Sequence, residues 1–159
     1  MSSPIDATVI DAVRDRFRER LAAAATERDI KAAYQGAEIL SLRTDVTSEA
    51  QCDEMVAQTV KRFGRLDILV PNAALFGKLG YKGFEDIPVP EFDAVMAVNI
   101  KGPWLCIKAA TPQMKKQGYG KVINIASGTL FKGSPNLLHY VSSKGAVLAM
   151  TRSLSRELG

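Results

Sequence analysis

Short apolar runs alternate along this sequence with longer segments in which polar and apolar residues are mixed. The runs predict β-strands, and they lie at 5–13, 37–45, 66–70 and 121–126. The segments between them have helix-favouring compositions, and they predict helices at 14–36, 48–64, 91–118 and 139–158. Strands that alternate with helices form βαβ units, so the pattern predicts an α/β domain with a parallel sheet.

Local signals indicate where several of these elements end. Ser48 is a candidate N-cap and Gly64 a helix terminator, which bounds the second helix on both sides. The segment Phe76–Pro90 is rich in Gly and Pro and is predicted to be a long loop. The pair Gly102-Pro103 should bend or break the 91–118 helix near Asn99.

Three polar residues each lie just after a predicted strand: Asp45, Asn72 and Ser127. In open parallel sheets, ligands bind at the carboxyl ends of the strands. We therefore expect these three residues to converge on one edge of the sheet, beside a bound ligand.

Tyr140 and Lys144 are four residues apart on the last predicted helix, so both side chains should share one helical face. A lysine ammonium close to a phenol favours the phenolate, and a tyrosine tuned in this way can exchange a proton with a substrate oxygen. Ser127, at the end of a strand predicted to be buried on both faces, could hold the same oxygen. The alternative is an amphipathic core tyrosine beside a solvated lysine, and the spacing alone does not decide between them.

A set of ordered motifs resembles the short-chain dehydrogenase/reductase family. Ser127 ends the strand VINIAS and precedes Tyr140-x-x-x-Lys144, which is similar to the family's active site. The other matching motifs, in chain order, are DVTS at 45–48, FGRLDILVPNAA at 63–74 and VNIKG at 98–102. The resemblance extends over roughly residues 7–159.

The resemblance implies a three-layer, Rossmann-like parallel sheet with helices on both faces, incomplete at both ends, and one partial domain over 1–159. It also implies an oxidoreductase that moves hydride between a nicotinamide and a carbonyl or secondary alcohol. Tyr140 would be the acid/base, Lys144 would lower its pKa and bind the nicotinamide ribose, and Ser127 would orient the substrate. Asn99 would hold a water that continues the proton relay, although it could also cover a free carbonyl of a kinked helix.

The cofactor-binding residues follow from the same resemblance. Asp45 and Val46 would lie against the adenine, and Asn72 and Ala73 along the ribose. For Asp45, a charge favoured at a helix N-terminus is an equal alternative. Arg14 follows the first predicted strand, and a basic residue there marks the 2′-phosphate, so NADP is favoured slightly over NAD.

The chain also departs from the family pattern. It lacks the glycine-rich turn that brings a backbone close to a pyrophosphate, so dinucleotide binding should be weak or absent. The family's first strand is not matched, and the chain stops at Gly159 before the family's substrate-covering region. We expect strand 5–13 to fill the gap beside 66–70. Pro71 and Ala74 replace a family Asn and Gly, and Ala74 is strained if its φ is positive.

Composition excludes several other classes. The chain is 47% hydrophobic and 24% charged, with no apolar run long enough for a membrane span and no secretion signal at its start. The net charge of +4 is spread along the chain, so the basic segment Arg14–Arg20 favours a solvated face over a nucleic-acid site. Two cysteines without metal or redox spacing indicate a cytoplasmic protein with no metal site. For the single histidine, His139, loop packing or pocket lining is favoured over catalysis.

The competing hypothesis is a non-catalytic remnant of the family that acts in assembly or partner binding. The missing glycine turn favours the remnant, whereas the four retained catalytic positions favour the enzyme. A small carbonyl or alcohol is the expected substrate, and a homodimer or homotetramer is expected by analogy. The loops Phe76–Pro90 and Leu130–Leu138 are the predicted pocket loops. Leu130, Phe131 and Leu137 in the second loop indicate an apolar substrate, unless these side chains pack underneath the loop.

Overall fold

A computed structural model describes residues 36–77 and 79–159 of the chain. The described residues do not include Arg14 or the predicted strand at 5–13. They include only the last residue, Gly36, of the predicted helix 14–36. The contacts divide the chain after Arg43, and the elements below belong to the unit Thr44–Gly159. Helices predominate, and we number them α1–α5 and the strands β1 and β2. In chain order the elements are α1 (Glu49–Phe63), β1 (Ile68–Leu69), a 3₁₀ turn (Phe84–Asp86), α2 (Val89–Met96), a π-helical turn (Ala97–Lys101), α3 (Gly102–Lys116), β2 (Lys121–Val122), α4 (Thr129–Lys132) and α5 (Leu138–Leu158).

Helix α1 has the ends that its sequence predicts. The Ser48 side chain accepts a hydrogen bond from the Gln51 amide, which satisfies one of the free N–H groups of the first turn. Gly64 adopts φ 78° and its N–H bonds to the Val60 carbonyl, the left-handed C-terminal conformation that glycine accepts at least cost. Both predicted bounds of this helix are therefore confirmed.

The two strands pair in parallel, with Ile68 opposite Lys121 and Leu69 opposite Val122. Hydrogen bonds from Lys121 N–H to the Asp67 carbonyl (2.8 Å) and from Ile123 N–H to the Leu69 carbonyl (2.9 Å) fix this register. The predicted strands at 66–70 and 121–126 are confirmed as shorter elements. Their parallel pairing places both carboxyl ends at one edge of the sheet.

Two expectations about the sheet are wrong. Residues 37–45 contain no strand, because a strand exists only by pairing and the sheet of the described residues contains β1 and β2 alone. The run at 122–126 is not buried on both faces, since Ile123 is 49% and Ile125 38% exposed. Apolar β-branched composition predicted the strand but could not predict what covers it.

Residues 89–116 form one continuous helical run, rather than two parts separated by a break. The predicted disturbance near Asn99 is a π-helical turn at Ala97–Lys101, closed by a bond from Gly102 N–H to the Ala97 carbonyl. Pro103 has no N–H, so the Asn99 carbonyl lacks its α-helical i+4 donor. The helix accommodates Pro103 by widening into a π-helical turn at Ala97–Lys101. Such π-helical turns occur frequently at functional sites.

The core lies between α1 and α3, with Leu69 of β1 packed beneath them. It consists of the buried residues Cys52, Val56, Leu69, Leu105, Cys106, Ile107 and Ala110. The Sγ atoms of Cys52 and Cys106 are 3.9 Å apart, and both residues are free thiols. Burial raises the pKa of both thiols, that of Cys52 to about 12, so both are protonated at neutral pH and act as small apolar side chains. No helix in the described part of the chain is long and apolar enough to cross a membrane.

Two helical glycines allow a matched test of this packing. A Cβ added to Gly102 would lie 2.8 Å from Val46 Cγ2, whereas one added to Gly145 of α5 would meet nothing within 4 Å. We expect Gly102→Ala to lower the free energy of unfolding by about 1 kcal/mol, because overpacking outweighs the gain in helix propensity. Gly145→Ala should raise it by about 0.5–1 kcal/mol from propensity alone. Urea unfolding followed by circular dichroism measures both changes, and stabilisation by Gly102→Ala would contradict the close approach.

Candidate active site

Helix α5 places the side chains of Tyr140 and Lys144 together. Both residues are buried, and the Lys144 Nζ lies 5.7 Å from the centroid of the Tyr140 ring. The ammonium also donates a 2.7 Å hydrogen bond to the Ile125 carbonyl, just beyond β2. Burial lowers the pKa of Lys144 below the ordinary lysine value. The four-residue spacing therefore brings the cation to the phenol and anchors it at the end of a strand.

Ser127 lies two residues beyond this anchor, in the segment that connects β2 to α4. Its Oγ accepts hydrogen bonds from the Thr129 amide (3.3 Å) and the Thr129 hydroxyl (2.9 Å). Since both are accepted, the serine keeps its own proton for donation to a substrate oxygen. The Ile125 carbonyl thus connects the Tyr140–Lys144 pair to the strand end that carries Ser127.

Asn99 lies in the π-helical turn and is 1% exposed. Its Oδ1 accepts from the Leu75 amide at 2.7 Å, and its Nδ2 donates to the Leu75 carbonyl at 3.2 Å and to Ser143 Oγ at 3.0 Å. Ser143 in turn donates to the Tyr140 carbonyl at 2.7 Å. The Asn99 carboxamide does not cover a carbonyl of its own helix. It fastens the segment after β1 and helix α5 to the π-helical turn.

The proposed adenine-side residues have structural partners. The Asp45 Oδ1 accepts from the Thr47 amide (2.9 Å) and hydroxyl (2.7 Å), in the turn that leads into α1. Val46 packs against Gly102. These contacts hold the Asp45 carboxylate in the turn before α1, and its second oxygen can still accept a further bond.

The segment after β1 carries the proposed ribose residues. Asn72 is exposed and Ala73 is half-buried. Ala74 is not strained, because among the described non-glycine residues only Asn136 has a positive φ. The chain therefore passes this turn in an ordinary conformation, with the Asn72 carboxamide open to solvent.

The sequence did not predict which side chains contact Tyr140 and the adjacent His139. The centroid of the Phe76 ring lies 4.5 Å from that of the Tyr140 ring, and the two rings are tilted by 38°. The first residue of the predicted pocket loop Phe76–Pro90 therefore packs against the Tyr140 ring. His139 is fully buried and bonds through Nε2 to Glu91 Oε1 at 3.0 Å, and Glu91 forms a salt bridge with Lys82. No local pattern connects these residues, because their separations along the chain are long.

Leu137 is buried and Phe131 is 77% exposed. These two apolar residues of the second predicted pocket loop, Leu130–Leu138, therefore have different environments. The burial of Leu137 agrees with the alternative in which loop residues pack underneath, whereas Phe131 is open to solvent.

Comparison with known proteins identifies the family of this chain. A family model described as short chain dehydrogenase matches residues 7–159. The chain belongs to the short-chain dehydrogenase family. Its Rossmann-type α/β fold is that of solved family members, which confirms the fold class.

Among curated short-chain dehydrogenase relatives, the chain is 39% identical over 117 residues to 2-(R)-hydroxypropyl-CoM dehydrogenase of Xanthobacter autotrophicus, covering 74% of this chain and 47% of that one. NAD+-bound xylitol dehydrogenase superposes with a TM-score of 0.79 at 34% identity, covering 89% of this chain and 52% of that one. NADP-bound ElxO superposes with a TM-score of 0.74 at 34% identity, covering 83% and 53%. The chain spans about half the length of the curated relatives it matches.

The candidate site offers several donors to a nicotinamide dinucleotide. Lys144 has three N–H donors and uses one on Ile125, so two are left for ribose hydroxyls. The Tyr140 and Lys144 side chains thus fit the nicotinamide ribose, and the exposed Asn72 carboxamide follows β1, whose carboxyl end lies at the same sheet edge as that of β2. Within the described ranges, no glycine-rich turn leads from a strand into a helix to receive the pyrophosphate. The fit is therefore to the nicotinamide end of the cofactor.

Proposed function

We propose that this chain carries the catalytic residues of an NAD(P)-dependent oxidoreductase that interconverts a carbonyl and a secondary alcohol. The observation that carries the proposal is the buried Lys144 ammonium, placed 5.7 Å from the Tyr140 ring and bonded to the Ile125 carbonyl beside Ser127. A cation, a phenol and a hydroxyl with a free proton are the groups that proton transfer at a C–O bond needs.

Each residue has a defined part in the proposed reaction. When bound, the nicotinamide supplies or accepts the hydride. In reduction, the Tyr140 O–H gives its proton to the substrate oxygen while Ser127 donates a hydrogen bond that orients that oxygen. The Lys144 ammonium stabilises the phenolate that remains. The Asn99 carbonyl, which lacks an i+4 donor, holds a water from which the relay through Lys144 is resupplied.

The direct test is oxidation of NADPH and NADH by the chain in the presence of a panel of ketones and aldehydes, followed at 340 nm. Turnover that depends on both the reduced cofactor and a carbonyl is the expected result. The absence of turnover with every carbonyl at saturating cofactor would contradict the proposal. Apolar ketones should be the best substrates, because the partly exposed Phe76 ring lies against the Tyr140 ring.

Cofactor binding is proposed to be weak and to favour NADP over NAD. The preference rests on Arg14, which lies outside the described residues, and the weakness rests on the missing glycine turn. In fluorescence titrations we expect both reduced cofactors to bind with dissociation constants above the micromolar range, NADPH more tightly. Sub-micromolar binding would contradict the first expectation, and an unchanged preference in Arg14→Ala would contradict the second.

A second candidate is a partner-binding role, and exposed apolar residues in and directly after the strands favour it. Ile68 of β1, Val70 after β1 and Ile123 after β2 are each about half exposed, although side chains of this type are ordinarily buried. This role fits a cytoplasmic homodimer or homotetramer. Sedimentation of the chain over a concentration series would distinguish it, since a monomer at all concentrations excludes self-association.

A further inference from the structure

Helix α5 carries two neighbouring pairs of side chains, each spaced four residues apart. Tyr140 and Lys144 face Phe76 and the Ile125 carbonyl. His139 and Ser143 lie one residue earlier, about 100° around the helix. The second pair therefore faces a different neighbour from the first, and that neighbour can set how the helix is rotated.

The neighbour is the continuous helical run that contains α2 and the π-helical turn. Its first turn supplies Glu91, which bonds to His139, and its π-helical turn supplies Asn99, which donates to Ser143 at 3.0 Å. Two contacts, one helical turn apart on α5, thus connect the same two elements. Such a pair of contacts fixes both the rotation of α5 and its position along its axis.

The His139 contact is specific in its chemistry. A carboxylate only accepts hydrogen bonds, so the ring proton must lie on Nε2 and donate to Glu91. The buried Nδ1 has no partner among the described residues, so this single bond sets the orientation of the ring. Burial by itself raises the pKa of Glu91, but hydrogen bonds from Lys82 and His139 and the charge of Lys82 outweigh it and hold the pKa below the usual range. Glu91 is therefore a carboxylate at neutral pH.

We propose that His139 is a positioning residue, which acts through Glu91 and Lys82 to place the Tyr140 phenol. The proposal rests on the proposed function of Tyr140. A side chain about 5–6 Å from a helix axis moves by about 2 Å when the helix rotates by roughly 20°. A displacement of about 1 Å in a reacting group can cost about a hundredfold in rate. The phenol therefore needs the restraint that the His139–Glu91 bond provides.

Two amide substitutions at position 139 give a matched pair. The amide nitrogen of glutamine occupies nearly the place of histidine Nε2 and can still donate to Glu91, whereas asparagine ends near the place of Nδ1 and cannot reach it. Both place the same polar group in a buried site. We expect His139→Asn to lower kcat at least about tenfold with KM changed less than about twofold. We expect His139→Gln to restore kcat to within about threefold of the original chain.

A second readout needs no turnover. The Phe76 ring shifts the ring resonances of Tyr140, which a Tyr140→Phe spectrum assigns. These resonances should move toward those of exposed Tyr119 in His139→Asn and stay in place in His139→Gln. The single histidine also makes the imidazole ¹⁵N signals unambiguous, and they should show the proton on Nε2. If the unaltered chain turns over no carbonyl, the proposed function fails, and the Tyr140 resonances still decide the positioning.

Variants of the acceptor complete the test if His139→Asn does not fold. Glu91→Gln keeps an acceptor for Nε2–H and should resemble His139→Gln, whereas Glu91→Leu should reproduce the loss. Equal kcat and equal Tyr140 resonances in the glutamine and asparagine variants at 139, or in Glu91→Gln and Glu91→Leu, would overturn the proposal.

Discussion

Replacing Tyr140 with phenylalanine should lower carbonyl-dependent NAD(P)H oxidation by about 10²–10⁴-fold, the range for loss of a general acid. The substitution removes one oxygen and keeps the ring, so its contact with Phe76 at 4.5 Å is preserved. That fold-change corresponds to about 3–5 kcal/mol of transition-state stabilisation. Steady-state rates at saturating cofactor measure it, with circular dichroism to show that the fold is intact.

Tyr119 provides a control of the same chemistry. It is also a tyrosine with a lysine above its ring, since the Lys121 Nζ lies 5.8 Å from the ring centroid, but its side chain is about half exposed. Tyr119→Phe should leave the rate unchanged. Equal rates for the Tyr140→Phe variant and the unaltered chain would end the catalytic assignment of Tyr140.

The pH dependence of the rate should report Lys144. Burial lowers the pKa of this lysine, so its ammonium is lost at a lower pH than that of an ordinary lysine. A reaction that needs the ammonium beside the phenol should therefore decline as the pH rises through this lowered pKa. Because the Lys144 ammonium acts through the Tyr140 phenol, the residual rate of Tyr140→Phe should not show this decline with pH.

The elements that sequence predicted well are those with local causes. The ends of α1 depend on Ser48 and Gly64, whose hydrogen bonds reach three or four residues along the chain. The same is true of the Tyr140–Lys144 pair, which follows from one turn of helix. The strand predicted at 37–45 failed because pairing is not local, and composition cannot supply a partner.

The site divides in the same way. Sequence predicted the strand end that precedes Ser127 and the helical face that Tyr140 and Lys144 share, because strand ends and helical spacing are both visible in the pattern. It could not predict that Asn99 bonds to Leu75, 24 residues away, or that Glu91 bonds to His139, 48 residues away. Those contacts depend on how the helices pack. A resemblance assigns roles to motif residues, but the residues that hold them in place have to be found in the structure.

Asn99→Ala should lower the free energy of unfolding by about 2–4 kcal/mol, because it leaves the amide and carbonyl of Leu75 and the Ser143 contact without their partner in a buried place. Asn124→Ala is the matched control. Asn124 makes one hydrogen bond, to Thr151 at 2.9 Å, and its buried Oδ1 has no partner, so its loss should cost about 1 kcal/mol or less. Urea unfolding of both variants measures the difference. Equal losses would mean that Asn99 stabilises the chain no more than an ordinary buried amide, and that the segment after β1 is held to α5 by other contacts. A larger loss for Asn99 would show that one carboxamide joins the segment after β1, the π-helical turn and α5, the three elements that the proposed nicotinamide site must keep in register.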